Sequence, residues 1–252
     1  MFSAQSKVKT CIDVLHKAGI GRGKVRLGAL IDNIYNMVEV KDRTVLDVGC
    51  GEGILSFSAA CGGARKVVSL EPELDGSTAG FNTAFKNLKE MLRLNNVFLY
   101  RQTLQSYDYK DGPFDIVVMY NVINHLDETS CTMLTSDANA REAYRGIFQN
   151  IFNNMSPGGV LIVTDCSNRN VFSDIGITNP VARTIEWNKH QPPEIWRHQF
   201  EKVGFSCLDV AWNPLHSLGP FKLLFRNWVG GYLTNSHFIL KLTKPHLSSK
   251  DS

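Results

Sequence analysis

The feature that most constrains the fold is the stretch TVLDVGCGEGILSFSAA, from Thr44 to Ala60. Apolar and β-branched residues lead into glycines at alternate positions, Gly49, Gly51 and Gly53, and an apolar run follows them. This pattern predicts a strand, a tight turn and a helix, which together open a nucleotide-binding α/β sheet. We therefore expect a largely parallel sheet that holds a ligand at this turn.

The remaining pattern alternates strands and helices from Thr44 onward, as in a doubly wound parallel sheet. Strands are predicted near residues 45–48, 66–70, 97–100, 115–120, 159–164, 207–212 and 236–242. Helices are predicted after Gly53, near 79–94, 141–155 and 193–203, and at two apolar-periodic segments before the first strand. Two long connections, 125–140 and 166–191, follow the fourth and fifth strands, and we expect them to build the acceptor pocket.

Length and composition favour one globular domain. The chain has 252 residues, of which 43% are hydrophobic and 20% charged, and this excludes a disordered protein. We expect an N-terminal helical cap over 1–42, a cofactor-binding core over 43–165, and substrate-side loops with closing strands over 166–252. No apolar run reaches the roughly 18 residues of a membrane span. Six scattered cysteines predict reduced thiols in the cytoplasm and no metal site.

Two acidic residues help to identify the ligand of the glycine turn. A dinucleotide-binding motif would have a third glycine at the position of Ile54. Asp47 stands two residues before the turn, where a carboxylate repels a pyrophosphate but tolerates a cationic ligand with an amino group and a sulfonium. Glu71 ends the second predicted strand and can accept hydrogen bonds from ribose hydroxyls. Glu71 would suit the ribose of NAD equally well. Only Asp47 and the glycine spacing therefore favour a cationic sulfonium ligand over a dinucleotide.

Four motifs resemble those of the class I S-adenosylmethionine-dependent methyltransferases. They are VLDVGCGEG, VVSLEPE, FDIVVMYNVINHL and NNMSPGGVLIVTD, and they occur in the family's order between Thr44 and Asp165. The resemblance implies a seven-stranded, mostly parallel Rossmann-like sheet whose last strand is antiparallel, with N-terminal helices and loop insertions. It also implies S-adenosyl-L-methionine as the cofactor.

The resemblance assigns roles to individual positions. Asp47 is expected near the amino group of the cofactor, Glu71 at its ribose, and Asn121 facing it from the end of the fourth strand. The glycine turn would approach the methionine part through Gly49, Cys50, Gly51 and Gly53. The family has an acid after the third strand at the adenine, where this chain offers Gln102, Thr103 and Leu104.

Methyl transfer to an alcohol needs a general base, and three residues are candidates. They are His125 after the fourth strand, Asp165 at the end of the fifth, and His190 in the second long connection. A histidine has an ordinary pKa near 6.5, which suits proton removal. Alternative roles stay open for all three: His125 packs beside the cofactor, Asp165 caps the following turn, and His190 lies at the surface.

The acceptor is expected to be a small molecule, a saccharide or a lipid intermediate, methylated most simply on oxygen. Neither NPPY nor DPPY follows the fourth strand, which argues against amino-group methylation of adenine or glutamine. A nucleic-acid, chiefly RNA, methyltransferase stays open because six cations face only Asp13 near the N-terminus: Lys7, Lys9, Lys17, Arg22, Lys24 and Arg26. A cofactor-binding partner subunit without catalysis is the third reading. An aromatic, apolar segment over 219–233 is a candidate cover for the acceptor.

Overall fold

The computed structural model describes residues 4–21, 23–73, 79–180, 182–183, 185–213 and 226–246. Its helices are α1 (Ala4–Lys17), α2 (Lys24–Tyr35), α3 (Ile54–Cys61), α4 (Phe81–Leu92), α5 (Glu128–Met133), α6 (Ala138–Asn153), α7 (Val171–Asp174), α8 (Pro193–Val203) and α9 (Trp228–Leu233). Short 3-10 helices cover Ile123–His125 and Trp187–Lys189. Its strands are β1 (Thr44–Val48), β2 (Lys66–Leu70), β3 (Val97–Tyr100), β4 (Phe114–Tyr120), β5 (Met155–Cys166), β6 (Ser206–Trp212) and β7 (His237–Thr243).

The seven strands form one sheet in the order β3-β2-β1-β4-β5-β7-β6. β1 pairs in parallel with β2, from Thr44 opposite Lys66 to Val48 opposite Leu70, and β2 pairs in parallel with β3. β6 and β7 run antiparallel to each other, with an irregularity in register between Cys207 and Asp209. All five residues of β1 are buried, as expected for a parallel strand covered on both faces. The predicted fold class is therefore confirmed.

The chain divides into two compact units. The first comprises residues 1–118 and 154–160, and the second comprises residues 119–153 and 161–252. In the first unit, α3 packs its apolar residues behind the glycine turn, where the rings of Phe57 and Phe85 lie 4.6 Å apart between centroids. Both rings are fully buried. This contact joins α3 to α4.

The second unit has an aromatic core between α6 and α8. The rings of Phe148 and Phe200 stack at 3.9 Å between centroids, and Tyr144 meets Trp196 edge to face at 5.0 Å. All four side chains are fully buried, as the helical spacing of Trp196 and Phe200 predicts. α8 begins at Pro193 and ends at Gly204, whose φ of 112° suits a glycine helix cap. This core positions the segment that precedes α8.

The predicted strands and helices correspond closely to the observed ones, with one notable error. Met155 was expected in the helix over 141–155, but that helix ends at Asn153 and Met155 begins β5. β5 therefore starts four residues before the predicted Gly159. The apolar spacing of Ile151, Phe152 and Met155 continues the helical period. Met155 is nevertheless in a strand, and its side chain is buried there. Of the aromatic segment 219–233, residues 219–225 lie outside the described residues, and α9 forms from Trp228 onward.

Candidate functional site

The glycine turn between β1 and α3 has the backbone that its sequence predicts. Gly49, Gly51 and Gly53 have φ values of 64°, 55° and 88°, a left-handed region that other residues seldom adopt. Gly53 has a second constraint, because a Cβ atom there would lie 2.6 Å from the ring of Phe85. The turn therefore exposes backbone rather than side chains, and α3 starts close to the strand.

Glu71 holds the glycine turn from the end of β2. Its Oε2 accepts a hydrogen bond from the N–H of Gly51 at 3.0 Å, and its Oε1 accepts one from the N–H of Glu73 at 3.1 Å. The side chain is 4% exposed. Each carboxylate oxygen has a second lone pair, so both can still accept a hydrogen bond from a ribose hydroxyl.

Asp47 is buried at 1% exposure beside the turn. Its Oδ2 accepts a hydrogen bond from Oγ of Ser56 at 2.6 Å, and Oγ of Ser69 donates to that of Ser56 at 2.8 Å. Burial raises the pKa of Asp47 to about 7, the charge of Glu71 adds to the rise, and the Ser56 hydrogen bond opposes it. A cation at this carboxylate would favour its ionised form.

Cys50 is the one turn residue with a reactive side-chain type. Its N–H donates to the carbonyl of Leu70 at 3.0 Å, which ties the turn to β2. Burial, followed by the nearby charges of Asp47 and Glu71, raises the pKa of the Cys50 thiol well above its ordinary value. The thiol therefore stays protonated, and Cys50 contributes its backbone rather than a nucleophile.

The residues expected at the adenine follow β3. Leu104 is 3% exposed, and Gln102 and Thr103 are partly exposed. The Thr103 hydroxyl donates to the Ser106 hydroxyl at 3.0 Å and accepts from the N–H of Ser106 at 3.2 Å. Thr103 thus caps the turn that follows it, while Leu104 provides an apolar surface.

Asn121 and His125 follow β4 in the second unit, and both are exposed. Asn121 has a φ of 53°, and its N–H donates to the carbonyl of Thr164 at 2.9 Å. Nδ1 of His125 lies 2.7 Å from Oε1 of Glu128, and the other oxygen of Glu128 lies 3.1 Å from Nζ of Lys189. His125 is therefore part of a surface ion network and makes no contact with the other two candidate bases.

Asp165 and His190 come together although 25 residues separate them in sequence. Nδ1 of His190 lies 3.0 Å from Oδ1 of Asp165, and the two side chains are 12% and 1% exposed. The segment carrying His190 is anchored to α5, because Nε2 of Gln191 donates to the carbonyl of Cys131 at 2.7 Å. The Cys131 thiol donates in turn to the carbonyl of Lys189 at 3.3 Å.

Sequence reasoning missed several residues that the structure places at these sites. Ser56 and Ser69 give no pattern on their own, since small polar residues within apolar elements are common. His237 had a detectable signal, because it is the histidine that starts the apolar strand HFILKLT. Its Nδ1 is buried without a hydrogen-bond partner among the described residues. Burial lowers the pKa of His237, with Asp165 opposing and His190 adding to the effect.

Comparison with known proteins gives the family. The model of a family described as a methyltransferase domain matches residues 39–216, well over half of the chain. This chain belongs to the methyltransferase domain family. Its sheet has the Rossmann-like fold of the S-adenosylmethionine-dependent methyltransferase structures that it resembles, the fold that the sequence motifs imply.

Individual relatives are distant. Ribosomal protein L11 methyltransferase of Prochlorococcus marinus (strain MIT 9215) is 27% identical over 130 residues, which cover 50% of this chain and 35% of that protein. The chain thus spans less than two fifths of the length of the curated relatives it matches. An S-adenosylmethionine-dependent methyltransferase structure from Mesorhizobium loti has a TM-score of 0.56 at 12% identity, covering 87% of this chain and 96% of that one. N-methyltransferase NodS from Bradyrhizobium japonicum WM9 has a TM-score of 0.52 at 10% identity, covering 88% and 94%.

The first unit fits S-adenosylmethionine by its own chemistry. The turn has three left-handed glycines, Gly49, Gly51 and Gly53, which carry no side chains of their own and so allow a ligand to approach the backbone closely. Glu71 retains accepting lone pairs, and Asp47 has a carboxylate that a cation would ionise. Among the described residues, no three His, Cys, Asp or Glu side chains are grouped to hold a metal.

The described helices include none that is long and apolar enough to cross a membrane. All six cysteines lie within the described residues, and none forms a disulfide. Of the N-terminal cations, Lys24 pairs with Asp13 at 2.6 Å. Arg22 and the side chain of Lys7 lie outside the described residues.

Proposed function

We propose that this methyltransferase acts on a hydroxyl group of a small molecule, a saccharide or a lipid intermediate, with His190 as the general base. The observation that carries the proposal is the 3.0 Å contact between Nδ1 of His190 and Oδ1 of the buried Asp165. A histidine oriented by a carboxylate is a recurrent arrangement for proton removal. His125 also has a carboxylate partner, but it is not proposed as the base because its side chain is 55% exposed and that of Glu128 is 45% exposed, so water competes for this contact.

The cofactor would be held by the first unit. Glu71 would accept hydrogen bonds from the ribose hydroxyls, Asp47 would attract the amino group, and the backbone from Gly49 to Gly53 would line the methionine part. Gln102, Thr103 and Leu104 are proposed as further contacts. When bound, S-adenosylmethionine supplies an activated methyl group: the acceptor oxygen forms the new C–O bond as the C–S bond breaks, and the electron pair leaves with a neutral thioether sulfur.

The contact with Asp165 suits the tautomer that a base needs. An ionised carboxylate can only accept a hydrogen bond, so opposite such a carboxylate His190 would carry its proton on Nδ1. The neutral ring then has a free lone pair on Nε2. The acceptor hydroxyl gives its proton to that atom, and the resulting imidazolium is stabilised by Asp165. Because Asp165 is 1% exposed, water competes little for this interaction.

A protein acceptor is the second candidate. It is supported by the name of the relative from Prochlorococcus marinus, a ribosomal protein methyltransferase. The His190 side chain is only 12% exposed, which favours the small-molecule reading, because a side chain of a folded protein reaches such a site less easily. A nucleic-acid acceptor has weaker support, since Lys24 is already paired with Asp13. A purely structural subunit would have no need of the dyad of Asp165 and His190.

The test is transfer of label from methyl-tritiated S-adenosylmethionine to a host-cell extract. The extract is then separated into low-molecular-weight, lipid, RNA and protein fractions, with the Asp47→Ala variant as control. We expect label in the small-molecule or lipid fraction, present with the wild type and absent with the control. Label confined to protein supports the second candidate, and nuclease-sensitive label supports an RNA acceptor; either would overturn the proposal.

A further inference from the structure

The second unit contains a group of buried polar atoms that the proposed proton transfer leaves unexplained. We call Asp165, His190, Gln191 and His237 the acceptor cluster. Asp165 binds His190 directly, and Gln191 follows His190 in the chain. His237 begins β7, the strand next to β5 in the sheet, and the N–H of Ser167 donates to the carbonyl of Ser236 at 2.8 Å beside them. All four residues belong to one compact unit.

Three atoms of this cluster are buried without a hydrogen-bond partner among the described residues. They are Oδ2 of Asp165, Oε1 of Gln191 and Nδ1 of His237. Asp165 and Gln191 are only 1% and 3% exposed. Nearly all buried polar atoms of native proteins are hydrogen-bonded. Three unpartnered atoms in one cluster therefore indicate that a bound molecule supplies their hydrogen-bond partners.

The chemical character of these atoms is uniform. A carboxylate oxygen and an amide oxygen only accept hydrogen bonds, and a neutral histidine nitrogen can accept one. The amide nitrogen of Gln191 is already occupied by the carbonyl of Cys131, which fixes the orientation of its free oxygen. The three unpartnered atoms of the cluster can therefore all act as hydrogen-bond acceptors.

The charge of the acceptor cluster also favours a ligand that donates hydrogen bonds over an anionic one. Among the described residues, the ion-pair partner of Asp165 is His190, and no lysine or arginine approaches its carboxylate within 4.0 Å. A carboxylate or phosphate of a bound molecule would meet a buried carboxylate that no lysine or arginine of the described residues offsets. A hydroxyl or an amine would instead donate to the free oxygens.

We propose that the molecule methylated by this enzyme carries at least one further hydroxyl or amine next to the oxygen that receives the methyl group, and no anionic group. Diols, polyols, saccharides and amino alcohols have this chemistry. Oδ2 of Asp165 and Oε1 of Gln191 accept from the neighbouring donor, and His237 accepts a second hydrogen bond. This inference rests on the proposed function, because it takes His190 as the base of the same site.

The experiment identifies the labelled product. The low-molecular-weight fraction of a host extract is incubated with the wild-type protein and methyl-tritiated S-adenosylmethionine, and the tritiated product is passed over a strong anion exchanger at pH 8. The neutral or cationic product is then acetylated and examined by mass spectrometry. We expect the product to pass the exchanger and to gain at least one acetyl group at a free hydroxyl or amine beside the new methyl ether.

Two results separate this inference from the proposed function. A tritiated ether that is anionic, or that has no second hydroxyl or amine, overturns the inference while leaving the proposed function intact. The absence of tritium from small molecules, or an unchanged rate in the His190→Asn variant, overturns the proposed function and the inference together.

A variant tests the part played by His237. In His237→Phe the ring is retained but the unpartnered nitrogen is lost, so the fold should survive and thermal unfolding should change little. With the purified acceptor from the same extract, we expect KM to rise about fivefold and kcat to stay within about twofold, the loss of one neutral hydrogen bond. His198→Phe on the exposed face of α8 is the matched control and should leave KM unchanged. An unchanged KM in His237→Phe would remove His237 from the subsite.

Discussion

The buried carboxylate of Asp47 predicts how the stability of the fold depends on pH. The folded protein keeps the Asp47 proton up to a pKa of about 7, whereas the ordinary value is 3.8. Above the ordinary value the unfolded chain therefore binds fewer protons than the folded one, and the free energy of unfolding falls as the pH rises. The contribution is fully present below about pH 4 and is lost above about pH 7.

The perturbation is Asp47→Asn, which keeps an oxygen for the Ser56 hydroxyl but cannot ionise. The stability of the wild type falls with pH between the ordinary pKa of 3.8 and the folded pKa of about 7. The interval from pH 5 to pH 8 includes about two pH units of that range, which correspond to about 3 kcal/mol of unfolding free energy. We expect the wild type to lose about that much more unfolding free energy than the variant over the same interval. The assay is urea unfolding without cofactor, followed by circular dichroism at both pH values.

Asp108→Asn is the matched control, since the Asp108 side chain is 62% exposed. Its free energy of unfolding should follow that of the wild type at both pH values. If Asp47→Asn also follows the wild type, then the proton on Asp47 is not held by burial, and the account of this carboxylate is refuted.

Three further changes have defined outcomes. Glu71→Gln should weaken S-adenosylmethionine binding at least tenfold in isothermal titration, because a carboxylate acceptor becomes a neutral amide; unchanged affinity would remove Glu71 from the cofactor site. Gly53→Ala should lower the free energy of unfolding by about 3 kcal/mol in urea, since the new Cβ would lie 2.6 Å from the Phe85 ring. Gly80 also has a φ of 88°, but its Cβ would have nothing within 4 Å. Gly80→Ala should therefore cost only the backbone strain of about 1–2 kcal/mol. Equal costs would contradict the packing explanation. Tyr144→Phe removes the buried hydroxyl that donates to the carbonyl of Ile123 at 2.9 Å, and a cost of about 1–3 kcal/mol is expected in the same assay; no loss would show that this carbonyl finds another donor.

Much of the fold could be predicted because its signals are local. The alternation of apolar strands and amphipathic helices specifies β1, β2 and β3 nearly to the residue, and the glycine spacing specifies the left-handed turn at Gly49, Gly51 and Gly53. Met155 was misassigned because helical periodicity and burial in a strand select the same residue type. Only the end of the helix at Asn153 decides between them.

The candidate site residues could be proposed one by one from the sequence, but their arrangement could not. His190 and Asp165 were both candidates, yet no sequence pattern joins positions 25 residues apart in two different elements. Their contact depends on the anchoring of Gln191 to Cys131, which is a tertiary hydrogen bond. His237 was missed because a histidine at the start of an apolar strand is more often a packed residue than a ligand-binding one.

The most direct test of the central claim is the methyl-transfer rate of His190→Asn, compared with that of His125→Asn. Both rates are measured with methyl-tritiated S-adenosylmethionine and the low-molecular-weight extract fraction, and cofactor affinity is measured by isothermal titration. We expect His190→Asn to transfer methyl at least about 100-fold more slowly with unchanged cofactor affinity, and His125→Asn to stay within about twofold of the wild type. A His190→Asn enzyme that keeps the wild-type rate would contradict the assignment of His190 as the base.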